Sequence, residues 1–436
     1  MKIATSDQSN LILTIADVLK SARILASGRV AFRDTRGLHD MVRERIGGEL
    51  DDKIGEICGD LGLLDYLRFQ LSREILAAGG VRKPSPLNLL PAYVDSIETA
   101  KRLVLGISAL PHKLRICSPL PKSLSRVLFA GIEDVDIGSG TRIVHARKLH
   151  EKMSLDFASE ALKKAILRKA DIAVIPKDKC HFICTWHSGF VGNFFGNHSV
   201  QEHLDKVRAL HGCLLAAGVM EEDGFFDSLP QHAVIVHDVG TVEDGVLVYT
   251  DTADSDLNYY YENFDASFDY YGSPSSDDAG EDDEGGAVSR GSETLTDDEQ
   301  LKQADALSAI KIAFGKNDYS RRLFTACLWL FRSNVSNRLL DVILESTIAL
   351  EVLLGDREAS EGLGLTNLLA NRCAFLLGKT ADERGALINE FKSIYAIRSQ
   401  IVHSGLHKMD RKVQEASLNA RDLARRIIQR ELGLAD

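Results

Sequence analysis

From residue 300 onward, apolar positions recur at three- and four-residue steps almost without interruption. The spacing predicts helices over 300–314, 318–333, 336–354, 363–378, 380–404 and 410–431, punctuated by Gly315, Gly355, Gly378 and Gly405. Connections this short define an all-α bundle in which successive helices run antiparallel. Upstream the pattern is mixed. Residues 10–27, 38–78, 92–108 and 156–170 have helical spacing, whereas "IAVIP" (172–176), "HFICTW" (181–186), "HAVIVHD" (232–238) and "GVLVYTD" (245–251) read as strands. The last two pair as a hairpin across "VGTVED". The chain is therefore expected to be multidomain, with an α+β amino-terminal region over 1–250 and an all-α region over 301–436.

Between them lies a change of composition. Residues 251–300 are rich in Asp, Glu, Gly and Ser, and Arg290 is their only Lys or Arg. Such a segment buries too little apolar area to offset its ordering entropy, and it is expected to be a flexible acidic linker. The tyrosines at 259–261 and 270–271 keep open a second reading, an acidic and aromatic strip that docks on a basic cleft of the same protein. The formal charge of −11 over 436 residues argues against a surface that coats nucleic acid generally, but not against a local basic cleft. No apolar run is long enough to span a membrane, and residues 1–30 are unlike a signal peptide. Seven scattered cysteines fit reduced thiols in the cytoplasm.

The helix over 380–404 carries the chemistry. Thr380 and Glu383 have capping-box spacing, and Gly405 stands where a helix C-cap belongs. Leu387, Phe391, Ile394 and Val402 define one apolar stripe, and Arg398 falls on it. His403 follows five residues later, about 140° further round an ideal helix. Arg binds phosphate in bidentate fashion and keeps its charge, while His exchanges protons near neutral pH, so the two form a minimal phosphodiester-cleaving pair. The plainer reading is a snorkelling Arg at the stripe's edge and a His paired with the last free carbonyls.

"IYAIRSQIVHSG" (394–405), preceded by "LLANRCAFLLG" (368–378) and "VILESTIALEVLLG" (342–355), resembles the Apea-like branch of the HEPN superfamily. The resemblance covers roughly residues 300–436. It implies a homodimeric endoribonuclease that uses no metal or other cofactor, with an Arg-His pair from each subunit meeting in a shared cleft around the 380–404 helix. By that resemblance, His403 acts as acid or base at the ribose 2′-hydroxyl and Arg398 holds the phosphate. Ser399 stands where many members have Asn, Asp or His, which leaves it a supporting role. Glu351 and Arg372 match family positions as well, either as a buried ion pair joining two helices or as accessory groups of the cleft. A toxin-like, antiphage effector controlled by a trigger at the amino-terminal region is the function implied. The alternative is a non-catalytic dimerisation scaffold whose amino-terminal domain binds a ligand or partner.

A second constellation lies upstream. Cys180, Cys184, His198 and His203 are spaced C-x3-C-x13-H-x4-H, close to a zinc finger. Glycines interrupt the segment where a finger helix belongs, and Ser199 with Glu202 forms an S-x-x-E box opening a helix to about Ala217. Strand alternation makes Cys180 and Cys184 buried core residues, so no metal is the expectation and a zinc site the weaker alternative.

Overall fold

The computed structural model describes residues 1, 3–27, 29–77, 83–153, 180–190, 198–222, 234–238, 245–249, 257, 264–266, 296–355, 364–404 and 410–434. The first 110 residues build one core from α1 (Thr5–Ser21), β1 (Ala22–Ile24), β2 (Val30–Phe32), α2 (Thr35–Ile46), α3 (Gly48–Cys58), α4 (Leu63–Ala77), β3 (Ser85–Pro86) and α5 (Ser96–Ser108). The single helix expected over 38–78 is three helices. Gly47 and Gly59 have φ of +82° and +130°, a backbone that no helix interior carries and that glycine alone adopts cheaply. The helix expected over 10–27 ends at Ser21, because Ala22–Ile24 pairs with Val30–Phe32 instead.

The central part contains β4 (His112–Pro119), α6 (Lys122–Val127), β5 (Asp134–Gly138), β6 (Thr141–His145), α7 (Ala146–Met153), β7 (His181–Gly189), α8 (His198–Ala216), β8 (Met220–Glu222), β9 (Val234–Asp238), β10 (Gly245–Tyr249) and β11 (Phe264–Ala266). Six of these strands form one sheet in the order β10-β9-β4-β7-β6-β5, and every neighbouring pair is antiparallel. The expected strand at 181–186 is the start of β7, and the expected pairing of the last two strands is β9 with β10. The helix over 156–170, the strand over 172–176 and the turn "VGTVED" lie outside the described residues.

Six helices follow among the described residues: α9 (Asp297–Ala313), α10 (Asp318–Val335), α11 (Leu339–Leu354), α12 (Leu365–Leu377), α13 (Ala381–Ser404) and α14 (Arg411–Glu431). An α+β amino-terminal region is thus followed by a helical carboxy-terminal one. Polar side chains set the starts: Thr296 and Glu299 form a capping box, Asn317 accepts from the Ser320 amide and Asp410 from the Val413 amide. No helix among the described residues is long and apolar enough to cross a membrane.

Helix α8 joins the two regions. One hydrophobic cluster runs through Leu114, Ile116 and Ile183 of the sheet, Val207, Leu210 and Leu214 of α8, Leu323 and Phe331 of α10, and Leu423 and Ile427 of α14. Backbones touch where α8 meets α10: a Cβ on Gly212 would stand 1.9 Å from the Cys327 carbonyl oxygen. The β5–β6 turn docks on the end of α9, where Ser139 Oγ donates to the Phe314 carbonyl at 2.8 Å. Within the span 251–300, expected to be a linker, a few positions are described. Leu257 is fully buried in the same cluster, Phe264–Ala266 pairs with β8, and a helix begins after Thr296. The other residues of that segment, with its tyrosines, lie outside the described residues.

Candidate active site on helix α13

Helix α13 opens as its sequence dictates. The Glu383 amide donates to Thr380 Oγ1 at 3.2 Å, and the Thr380 amide donates to Glu383 Oε2 at 3.2 Å. Leu387, Phe391, Ile394 and Tyr395 are buried in the main core. The stripe then turns: Ile397 and Ile401 pack on a smaller cluster of Leu340, Ile343, Val413 and Ala416. Val402, expected in line with the stripe, is instead 50% exposed. The Gly405 cap lies outside the described residues.

Arg398 sits between these two apolar surfaces and is held from two sides. Its Nη2 lies 3.1 Å from Glu351 Oε1 on α11, and that same oxygen accepts a hydrogen bond of 2.6 Å from the Tyr395 hydroxyl. The guanidinium carbon is 5.3 Å from the Tyr395 ring centroid, within cation–π range. Burial, reinforced by the Glu351 carboxylate, raises the Tyr395 pKa above its ordinary value, so the phenol stays a donor. Arg398 Nε is buried and has no hydrogen-bond partner.

The partner of Glu351 is therefore Arg398 and Tyr395, not the Arg372 that sequence spacing allowed. Arg372 Nη1 donates to the Leu354 carbonyl at 2.8 Å, at the end of α11. Ser399 is half-buried and His403 is exposed. His403 thus stands apart from the cluster, on the helix end that faces solvent. Tyr395 was missed by sequence reasoning, although its place one turn before Arg398 is the signal that could have found it.

The four zinc-finger-like positions do not converge. Cys184 stands opposite Cys117 on the sheet face turned away from α8. His203, fully buried on α8, lies against the other face, with Nε2 2.9 Å from Ser118 Oγ and Nδ1 2.8 Å from Thr185 Oγ1. The sheet separates the two. Among the described residues no group of three or more such side chains is placed to hold a metal ion. Helix α8 already begins at His198, so Ser199 lies inside it and is not its N-cap. Glu202 reaches His187 Nδ1 at 3.3 Å and Lys206 Nζ at 3.0 Å.

What the α13 cluster offers chemically is a fixed cation with one buried, unpaired N–H among the described residues, set by a carboxylate and a phenol, on a helix that also presents an imidazole to solvent. Comparison with family models, curated proteins and solved structures finds no match to this chain.

Proposed function

We propose that this chain is a metal-independent endoribonuclease of the HEPN type, in which Arg398 and His403 cleave RNA by attack of the ribose 2′-hydroxyl. The observation that carries the reading is the state of Arg398: its guanidinium is fixed by Glu351 and Tyr395, yet its Nε has no acceptor. A phosphate oxygen is the acceptor such a group binds best. In the proposed reaction His403 takes the 2′-hydroxyl proton, the 2′-oxygen attacks phosphorus, and the 5′-oxygen leaves with a proton from the partner copy's imidazole. Arg398 neutralises the charge that builds on the phosphate. Ser399, half-buried beside Arg398, is a supporting donor.

One α13 helix turns Arg398 and His403 about 140° apart, so a single copy does not present both squarely to one phosphate. A two-fold axis beside α13 supplies the missing group from a second copy, which makes the active form a homodimer. A cytoplasmic, toxin-like role in antiphage defence, triggered through the amino-terminal region, completes the proposal. The second reading is a non-catalytic dimerisation scaffold, favoured by the engagement of Arg398 with Glu351 in the free chain.

Purified protein incubated with total RNA and chelator separates the two. His403→Ala should lower cleavage by about 10²–10⁴-fold with the fold intact. Cleavage by that variant at the wild-type rate would overturn the catalytic assignment, and an inert wild type would leave the scaffold. Light scattering that finds an active monomer would remove the shared site.

A further inference from the structure

The sheet face turned away from α8 holds a groove of about 230 Å³, lined by Arg115, Arg142, Val144, Leu149, Cys184 and Trp186. Strand register puts these residues together. Arg115 of β4 stands opposite Trp186 of β7, and Arg142 of β6 stands opposite Cys184 of β7. The two arginines differ in one respect. Arg142 Nε lies 2.8 Å from Asp134 Oδ1, with Asp136 near its Nη1, so its charge is answered within the fold. Among the described residues no carboxylate pairs with Arg115. Its Nε and Nη1 are buried with no hydrogen-bond partner there, and its guanidinium carbon lies 5.2 Å from the Trp186 ring centroid.

Buried N–H groups in folded proteins are paired in the great majority, so an orphaned guanidinium beside a groove is a donor suited to an anionic ligand. Trp186 is the second sign, since it keeps 44% of its surface exposed at the mouth of the groove while one side of its ring is shielded by Arg115. The remaining side is a flat, polarisable surface of the kind on which heteroaromatic rings stack. Below lie Val144 and Leu149, both buried, and Cys184, whose thiol is held protonated by burial and by the neighbouring Cys117. The nearby Asp134 carboxylate is engaged by Arg142 and Lys148. At about 230 Å³ the groove is below the usual roughly 300–1,000 Å³ of ligand pockets, so it encloses part of a small ligand and leaves the rest, the stacked ring, at its mouth.

The geometry points to a binding site for a nucleoside monophosphate: the phosphate pairs with Arg115, and the base stacks on the open side of Trp186. This site is on the sheet, remote in sequence from Arg398, and its occupancy does not depend on any ribonuclease activity.

The test is direct binding to the full chain. AMP, GMP, CMP and UMP are titrated by calorimetry and by tryptophan fluorescence, with inorganic phosphate and adenosine as probes of the two halves of the ligand. At least one monophosphate should bind saturably below about 1 mM, more tightly than phosphate or adenosine, and quench fluorescence. Trp186→Phe should abolish the quench and weaken binding, while the other tryptophan, Trp329, still reports a folded protein. Arg115→Gln should weaken binding at least tenfold, and Arg115→Lys, which keeps the charge, should recover part of it. Absence of saturable binding by all four nucleotides overturns the site. Binding unchanged in Arg115→Gln overturns the assignment of the phosphate, and phosphate binding as tightly as every nucleotide overturns the stacking of the base.

Discussion

Two glycine-to-alanine substitutions, identical on paper, should move stability in opposite directions. Gly385 lies in the exposed second turn of α13, and a Cβ there would have no heavy atom within 4 Å. Alanine is favoured over glycine inside a helix by about 1 kcal/mol, so Gly385→Ala should stabilise by roughly 0.5–1 kcal/mol. Gly212 gains the same propensity term, but its Cβ would stand 1.9 Å from the Cys327 carbonyl oxygen and 2.6 Å from the carbonyl carbon. Both atoms are helix backbone, so no rotamer change relieves the overlap. Helices α8 and α10 must separate by an ångström or more, which opens gaps between Val207, Leu210, Leu323 and Phe331 along a close-packed seam. Overpacking against side chains alone costs about 1–3 kcal/mol, and a rigid backbone neighbour should put Gly212→Ala at or above the top of that range, about 3 kcal/mol, even after the propensity gain. Urea unfolding followed by far-ultraviolet circular dichroism measures both variants against wild type. Equal shifts of the two midpoints would refute the argument, because they would mean that α8 and α10 do not touch as described.

Other consequences can be checked as simply. Glu351→Gln should destabilise by about 1–2 kcal/mol, between the values for exposed and buried pairs, and a double-mutant cycle with Arg398→Met should return a coupling near 1 kcal/mol; strictly additive losses would contradict the contact. Burial lowers His181 and His187 from 6.5 to about 4, against partial opposition from the Ile132 carbonyl and Glu202 respectively. Between pH 6.5 and 4 the unfolded chain therefore binds more protons than the folded one, and stability should fall as pH drops through that window, by up to about 3 kcal/mol per histidine. Denaturation measured at pH 7, 6 and 5 (about one unit apart across the window) should show a shallower slope in His187→Gln, and an unchanged slope would remove His187 from the account. His203→Leu should strand the Ser118 hydroxyl in the core and cost about 1–3 kcal/mol; a neutral effect on the urea midpoint would show that Ser118 finds another acceptor.

The carboxy-terminal helices were legible because local signals agree there: Asn317, Thr296 and Asp410 cap the starts, and glycines follow Leu354 and Leu377. Strands β4, β5 and β6 were not, for a physical reason. β5 and β6 are short, and β4 and β6 are placed by pairing with β7, a partner distant in the chain, while β5 only adds to β6. Helix α8 was legible in extent, expected to run to about Ala217 and ending at Ala216, but not in the role of Ser199 at its start. Only His198, Gln201, Glu202, Asp205 and Arg208 meet solvent on it, and Lys206 and His203 are buried with partners, so its periodicity did not show that it packs on both the sheet and α10. At the candidate site the sequence led to Arg398, Glu351 and His403, but it paired Glu351 with Arg372 or gave both an accessory role, where the structure pairs Glu351 with Arg398. Both arginines interrupt apolar helices at helical spacing, and only the packing of α13 on α11 decides.

The continuous core across α8 has a bearing on chain connectivity. Leu257 and α8 stand before residues 267–295, and α10 and α14 after them, yet all belong to one cluster. The peptide between is then not what keeps the two parts together. A protease site placed in that stretch should give a nicked molecule that still migrates as one particle, and the two pieces, made separately in one cell, should find each other through the α8 seam. The gene could thus be divided at that point without dividing the protein.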